Sequence, residues 1–209
     1  MIMKKTLSFL LFIFCVFSSQ AEIIKTKVKS DAMNKDIPCV IITPTNYNPS
    51  ATYPVIYLLH GYGGNQNTWP DIKKDLSQTA TQDSIIFVCP NGENSWYWDS
   101  PFNKESQFET FISKELVSYV DKNFSTRNDR TGRAITGLSM GGHGALWLAI
   151  RHQDIFGAAG STSGGVDIRP FPDNWDMKKQ LGEYINNKEI WDNHTVINQI
   201  NKLQDGKLA

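Results

Sequence analysis

The first feature of the sequence that could perform chemistry is a serine between two glycines. Ser139 lies in the segment GLSMGGHGA, with Gly137 and Gly141 on either side at the spacing G-x-S-x-G. The residues from Arg133 read as an apolar strand, and those after the serine, up to Arg151, read as a helix. A tight turn between a strand and a helix holds a serine in a strained conformation with its hydroxyl exposed. The pattern predicts that Ser139 is a nucleophile, against the alternative of an ordinary glycine-serine turn.

A glycine-rich loop after an earlier strand predicts the groups that would stabilise negative charge. The apolar run 55–59 leads directly into HGYGG at 60–64. The backbone N–H of Tyr62 would then lie opposite that of Met140, and two converging amides form an oxyanion hole in acyl transfer. A phosphate-binding loop is the alternative, but the Gly-Lys-Ser/Thr of such a loop is missing, so no nucleotide or other cofactor is predicted.

An aromatic run predicts one wall of a substrate cleft. Trp96, Tyr97 and Trp98 follow a predicted strand at its carboxyl end, the edge where α/β folds bind ligands. We expect Trp96 and Tyr97 to contact substrate. The alternative is that these rings cover the core.

The strands and helices that would position these groups alternate along the chain. Apolar, β-branched runs bounded by Pro, Asn and Gly predict strands at 37–43, 54–59, 84–89 and 133–136. Apolar residues at helical spacing predict helices at 68–80, 106–124, 141–151 and 186–203, the second opened by a Ser106-x-x-Glu109 capping box. This order predicts an α/β fold of three layers with a mainly parallel sheet.

Five blocks between Tyr53 and about Gly165 resemble one family of α/β-hydrolases. The blocks are YPVIYLLHGYGG, NSWYWDSP, ETFISKELVSYVDKNF, RAITGLSMGGHGAL and FGAAGSTSGG. The family includes esterase D (S-formylglutathione hydrolase), tributyrin, feruloyl and acetyl-xylan esterases, and the antigen 85 mycolyltransferases. The resemblance implies an α/β-hydrolase fold, with Ser139 as the nucleophile of a Ser-Asp-His triad and Tyr62 and Met140 as amide donors. It also implies that the tryptophan-tyrosine block lies beside the acyl pocket.

The serine needs a base, and the family places its acid and histidine after the nucleophile. Three histidines follow Ser139. We expect His143 to pack under the 60–61 loop, since it lies on the same helix as the serine, and His152 to cap the end of that helix. His194 is a weak candidate, because a lone histidine off the apolar stripe of a helix is more often solvated.

The triad acid and histidine are therefore expected beyond residue 209. Residues 207–209 read as the start of a strand after the turn Gln204-Asp205-Gly206. The expectation is an esterase domain at 22–209 that is incomplete at its carboxyl end, lacks its last strands and is inactive alone.

The amino-terminal residues predict the compartment. Lys4 and Lys5 precede the apolar run 7–17, and small residues follow at Ser19 and Ala21. Residues 1–21 therefore read as a signal peptide, which predicts export to the periplasm or the cell exterior without stable membrane insertion. Lys and Arg number 21 and Asp and Glu number 21, so no charge excess indicates a nucleic-acid partner.

The metal-binding residue types indicate no metal site. The four histidines are scattered, without paired ligand spacing. Cys39 and Cys89 lie in apolar runs, and we expect two free core thiols although export would permit a disulfide.

The residues together predict an exported serine carboxylic-ester hydrolase that forms an acyl-serine intermediate. Its substrate would be a small-molecule or carbohydrate-linked ester. The alternatives are an acyltransferase of the same fold and a non-catalytic binding domain.

Overall fold

A computed structural model describes residues 22–209, and the predicted signal peptide at 1–21 lies outside the described residues. The centre of the molecule is a six-stranded sheet in the order β1-β2-β4-β3-β5-β6. Its strands are β1 (Ile23–Ser30), β2 (Lys35–Ile42), β3 (Val55–Leu59), β4 (Ile86–Pro90), β5 (Arg133–Leu138) and β6 (Ala158–Thr162).

Four neighbouring strands of this sheet are parallel. β3 pairs in parallel with β4 and β5, and β5 pairs in parallel with β6. β1 and β2 form an antiparallel hairpin that joins the sheet through β4. The predicted α/β class and mainly parallel sheet are confirmed. All five residues of β4 are buried, as expected for a parallel strand covered on both faces.

Helices cover both faces of the sheet. They are α1 (Thr68–Ile72), α2 (Leu76–Asp83), α3 (Phe108–Thr110), α4 (Val117–Asn123), α5 (Met140–Arg151), α6 (Met177–Leu181) and α7 (Lys188–Asn193). A π-helix, Phe111–Leu116, joins α3 to α4, and 3-10 helices lie at Arg130–Gly132, Tyr184–Asn186 and Val196–Lys202. The larger apolar core includes residues of the α3–α4 segment and α5, whereas a smaller core includes Leu76 and Ala80 of α2. The predicted three layers follow from these two cores.

Cys39 and Cys89 are buried and free, as predicted. Cys89 pairs with Val40, and both side chains lie in the smaller core, whereas Cys39 lies in the larger one. The two thiols therefore lie on opposite faces of the sheet, a geometry that no disulfide can bridge. Burial raises the pKa of the Cys39 thiol to about 12, so it stays protonated and inert.

Three predicted helices differ from the observed ones. The helix expected at 68–80 is divided at Lys73–Asp75, since α2 packs on the sheet while α1 buries none of its residues. The helix expected at 186–203 is divided into α7 and the 3-10 helix Val196–Lys202. The capping box is wrong: the helix begins at Phe108, and the Ser106 hydroxyl has no hydrogen-bond partner among the described residues.

The carboxyl end of the described chain is hydrogen-bonded to the residues at the start of β6. The Ala209 N–H donates to the Gly157 carbonyl at 3.0 Å, and the Ala159 N–H donates to the Ala209 carbonyl at 2.9 Å. Residues 207–209 nevertheless form no assigned strand, since Lys207 lies in a turn. Among residues 22–209, no helix is both long and apolar enough to cross a bilayer.

The Glu109 carboxylate explains why the capping box fails. It is buried and accepts hydrogen bonds from Trp147 Nε1 at 2.9 Å, Arg151 Nε at 2.7 Å and His152 Nε2 at 2.8 Å. Burial opposes its charged form, but the bonds from His152 and Arg151 outweigh burial and hold the Glu109 pKa below its usual value. One buried anion thus joins α3 to the end of α5.

We predict that Glu109→Gln lowers the free energy of unfolding at pH 7 by about 2 kcal/mol, because the donors of Arg151 and His152 lose their charged acceptor. Because the pKa of Glu109 is lower in the folded than in the unfolded protein, the charged carboxylate stabilises the fold at pH values above its unfolded pKa of about 4.3. This stabilisation is lost as the pH falls through the folded-state pKa. The wild-type protein should therefore lose stability below about pH 4 more steeply than the variant. Urea unfolding at several pH values measures this. Glu105→Gln, at an exposed loop residue, is the matched control; equal effects of the two variants would contradict the prediction.

Candidate active site

Ser139 forms a strained turn between β5 and α5. Its backbone has φ 54° and ψ −116°, a conformation that costs energy for a residue with a Cβ atom. Two backbone bonds hold it there: the Ser139 N–H donates to the Thr162 carbonyl at 2.8 Å, and the His143 N–H donates to the Ser139 carbonyl at 3.0 Å. The residue is exposed, and its hydroxyl makes no hydrogen bond within residues 22–209. This is the geometry predicted for the turn formed by residues 137–141, here called the elbow.

The glycines on either side let the turn pack against itself and against β3. A Cβ atom added at Gly137 would lie 2.2 Å from the Gly141 carbonyl group, and one added at Gly141 would lie 2.2 Å from the Leu59 carbonyl oxygen. Neither position has room for a side chain, because the obstructing atoms belong to the backbone. The spacing G-x-S-x-G is thus a steric requirement of this turn.

The glycine-rich loop at 60–64 lies beside the elbow. Leu59 pairs with Gly137, so β3 and β5 end together, and a Cβ atom at Gly61 would lie 3.5 Å from the Ser139 Cβ atom. Of the predicted donors, neither the Tyr62 N–H nor the Met140 N–H has an acceptor among the described residues. The amino terminus of α5 adds a partial positive charge beside the serine.

His60 organises this loop. Its Nδ1 lies 2.7 Å from the Gly61 carbonyl, and its Nε2 accepts the Gly92 N–H at 2.8 Å. Since a carbonyl only accepts and an amide N–H only donates, the ring is neutral with its proton on Nδ1. Burial lowers the pKa of His60 further below neutrality. This histidine therefore has a structural role.

A cavity of about 260 Å³ opens beside Ser139. Its walls are mostly apolar and aromatic. They consist of Tyr62, Trp96, Ser139, Ser163, Gly165, Asp167, Ile168, Phe171, Trp175 and Met177. Asp167 brings a carboxylate to this lining, but it is paired with Arg169 at 2.8 Å. The cavity therefore suits an uncharged group.

The two aromatic residues expected to contact substrate have different positions. Trp96 lines the cavity, and its Nε1–H donates to the Trp175 carbonyl at 3.1 Å. Tyr97 is fully buried, and its hydroxyl donates to the His60 carbonyl at 3.0 Å. A Cβ atom at Gly144 would lie 2.3 Å from the Tyr97 ring, so this ring fills the space between α5 and the loop. Its placement corrects the substrate-contact prediction for Tyr97, which belongs to the core below the site.

His143 is enclosed by tryptophans. It is completely buried, its Nδ1 lies 2.7 Å from the Gly165 carbonyl, and its ring centroid lies 5.2 Å from that of Trp96 and 5.1 Å from that of Trp98. Burial lowers its pKa to about 4. The expectation that it packs under the 60–61 loop is wrong, because its ring packs among the tryptophans and its Nδ1 binds the loop after β6.

The two later histidines serve a different region. The His152 side chain binds the Glu109 carboxylate instead of capping the last carbonyls of the helix as expected. His194 Nδ1 lies 2.7 Å from the Ile190 carbonyl, and its ring stacks on Trp147 at 5.5 Å between centroids. All four histidines of the chain are thus engaged away from the Ser139 hydroxyl.

The carboxylates near the cavity are paired with cations rather than with a histidine. Arg169 binds both Asp167 and Asp192, at 2.8 and 2.9 Å. Asp173 pairs with Lys178 at 3.4 Å and Asp176 with Lys179 at 2.9 Å. Within the described part of the chain, no group of three or more His, Cys, Asp or Glu residues could hold a metal ion.

A parallel α/β sheet with a strained serine between a strand and a helix defines the α/β-hydrolase class of fold. Residues 30–207 match the family described as "Putative esterase", and the chain belongs to that family. Esterase Rv1288 of Mycobacterium tuberculosis is 34% identical over 133 residues, which cover 62% of this chain and 29% of that protein. The diacylglycerol acyltransferase/mycolyltransferase Ag85A of Mycobacterium leprae is 35% identical over 151 residues, covering 68% and 43%.

The solved structure of a ferulic acid esterase has the same fold. It superimposes with a TM-score of 0.71 at 25% identity, covering 90% of this chain and 74% of that one. The chain spans less than half the length of each of the two curated relatives.

We predict that Gly141→Ala lowers the free energy of unfolding by about 1–3 kcal/mol, because the new methyl group meets the Leu59 carbonyl. Gly165→Ala is the matched control, since a Cβ atom there lies 3.8 Å from Trp96, an ordinary contact. Denaturant unfolding of both variants measures the difference. If the Gly141→Ala protein is as stable as the control, the elbow has room for a side chain at this position and the prediction is wrong.

Proposed function

We propose that Ser139 is the nucleophile of an acyl-transfer site that accepts the acyl group of a carboxylic ester. The observation that carries this proposal is the exposed serine hydroxyl on a strained turn, beside a loop and a helix start whose Tyr62 and Met140 amides have no acceptor within residues 22–209. Strain of this kind is retained where function requires it. Family membership supports the same reaction class.

The proposed reaction forms one covalent bond to the protein. The Ser139 oxygen attacks the ester carbonyl carbon, and the carbonyl oxygen becomes an oxyanion that accepts hydrogen bonds from the Tyr62 and Met140 amides. Collapse of this intermediate expels the alcohol, which leaves with the proton lost by the Ser139 hydroxyl, and the acyl group stays on Ser139. Transfer of the acyl group to water completes hydrolysis, and transfer to another alcohol completes acyl transfer.

The cavity supports a choice of acyl group. A space of about 260 Å³ lined by Trp96, Phe171 and Trp175 suits a short or single-ring uncharged acyl group rather than a long chain. We infer a small-molecule or carbohydrate-linked ester as substrate. The predicted signal peptide supports an exported enzyme that meets such esters in the periplasm or outside the cell.

None of these residues provides the base that would accept the Ser139 proton. The four histidines are held by Gly61, Gly165, Glu109 and Ile190, so none is free to take the Ser139 proton. Hydrolases that lose one triad member keep roughly 10³–10⁴-fold catalysis over water through the oxyanion hole and binding. We propose that the chain alone reacts with activated esters and releases the acyl group slowly.

A non-catalytic binding domain is the second candidate function. The engagement of every histidine favours it, because a cavity without a base can hold an ester without cleaving it. The two candidates differ in whether the acyl group is found on the protein.

We predict that p-nitrophenyl butyrate releases about one equivalent of nitrophenolate per chain and leaves the butyryl group on Ser139, because deacylation lacks a base. Stopped-flow absorbance measures the release, and peptide mass spectrometry locates the group. Ser139→Ala should abolish both, whereas Ser50→Ala, at an exposed serine in the loop between β2 and β3, should not. Acylation elsewhere, or none, would favour the binding domain.

Added imidazole provides a second test of the missing base. A general base contributes about 10²–10⁴-fold to such reactions, so we predict that imidazole raises the turnover rate with concentration. The effect should follow the unprotonated fraction of imidazole as pH changes. An increase of equal size in Ser139→Ala would assign the reaction to the buffer and contradict the prediction.

A further inference from the structure

The segment 166–177, here called the strap, lies along the cavity and is bonded to both loops beside Ser139. The Tyr62 hydroxyl donates to the Asp176 carboxylate at 2.9 Å. The Trp96 Nε1–H donates to the Trp175 carbonyl at 3.1 Å. Two adjacent strap residues therefore bind two different loops, one that carries a proposed oxyanion donor and one that lines the cavity.

The backbone of the strap is strained where these bonds form. Trp175 has φ 50° and Asp176 has φ 57°, and neither is a glycine. Two consecutive left-handed residues persist only where surrounding contacts determine them. Lys179 contributes such a contact, because its ammonium group lies 2.9 Å from the second Asp176 oxygen. The strain therefore coincides with the Tyr62 contact, which indicates that the contact has a function.

Tyr62 connects the strap to the chemistry. Its side chain is 40% exposed, and among the described residues its hydroxyl bonds to Asp176 alone. Its neighbour is held separately, since the Gly63 N–H donates to Asn94 Oδ1 at 2.9 Å. A ring fixed at its far end by Asp176 restricts rotation about the backbone of the same residue, and that backbone carries the N–H proposed to bind the oxyanion.

We propose that Asp176 is a positioning residue, which fixes the Tyr62 amide for oxyanion binding by holding the Tyr62 hydroxyl and closes the strap over the cavity in the same contact. This inference rests on the function proposed above. It assigns Asp176 a role through Tyr62 rather than through contact with the reacting atoms.

The contact is constant across the neutral pH range. The hydrogen bonds from Lys179 and Tyr62 lower the pKa of Asp176, and the bond to Asp176 raises the pKa of Tyr62 above its usual value near 10. The carboxylate is therefore charged and the phenol protonated from mildly acidic to alkaline conditions. Any effect of removing the contact should be the same throughout that range.

The test compares four variants in single-turnover acylation by p-nitrophenyl butyrate. Tyr62→Phe and Asp176→Ala each remove the bond and should lower the maximal acylation rate constant about tenfold, as expected for one hydrogen bond to a charged acceptor. The ester concentration at half-maximal rate should change less. The double variant should be no slower than either single variant, because both lose the same bond. Asp176→Asn keeps an acceptor oxygen and should recover most of the rate.

Asp173→Ala is the matched control, since it removes a carboxylate of the same strap that pairs with Lys178 and does not contact Tyr62. It should acylate at the wild-type rate. If Tyr62→Phe and Asp176→Ala also acylate at that rate, or if their effects add fully, the positioning role is overturned.

Hydrogen exchange separates this inference from the proposed function. Tyr62→Phe should speed amide exchange in both 61–64 and 166–177, about tenfold, because each segment loses its tie to the other. If the wild-type protein is not acylated, the proposed function is rejected. Faster exchange in Tyr62→Phe would still support the contact between Tyr62 and Asp176. Unchanged exchange in both segments would overturn the tie whether or not Ser139 is acylated.

Discussion

The backbone of α5 meets the end of β3 so closely that one methyl group at Gly141 would come within 2.2 Å of the Leu59 carbonyl oxygen. The same carbonyl accepts the Trp69 Nε1–H at 2.9 Å, so the end of β3 is fixed on that side as well. This approach sets the distance between the elbow and the glycine-rich loop. Ser139 keeps its left-handed conformation because the strand before it, the helix after it and the neighbouring strand leave no room to relax.

Side chains below the site connect α5 to the walls of the cavity. Tyr97 fills the space between α5 and the His60 carbonyl, and His143 binds the Gly165 carbonyl from the same helix. The helix that begins after Ser139 thus also holds the loop after β6. A buried neutral imidazole suits this role, since it donates one directed bond and leaves an uncharged ring among tryptophans. The shape of the cavity and the position of the serine therefore depend on one element.

The features predicted correctly from sequence are those fixed by neighbouring residues. The G-x-S-x-G turn, the strand before it and the helix after it follow from local sterics, and the order of strands and helices follows from apolar spacing. The strands that were missed lack such a local signal. β6 has the sequence AAGST, whose small residues carry a weak strand signal, and β1 has lysines at every second position from Lys25 to Lys29 with Thr26 and Val28 between them.

The same distinction explains Glu109 and Tyr97. Glu109 has the spacing of a capping box, but three donors from residues 38 to 43 positions later determine where its carboxylate lies. Tyr97 has the residue type and sequence position of a cleft residue. Its ring packs in the core because Gly92 and Gly144 have no side chains to occupy that space. A single sequence does not reveal such pairings, because each residue is compatible with both roles until its partner is known.

The described residues provide a proposed nucleophile and proposed oxyanion donors, but none of their histidines is free to act as a base. The proposed nucleophile and the proposed oxyanion donors come from two turns that end adjacent strands, so short-range structure suffices to build them. A base must instead be brought to the serine by an element distant in sequence, and each histidine of the chain is already committed to a carbonyl or a carboxylate. Freeing one of them would leave a buried group unpaired, at a cost of about 1–3 kcal/mol before any catalytic gain. If Ser139 acts as proposed, attack and proton transfer are separable here, and the proposed site would capture an acyl group without releasing it efficiently.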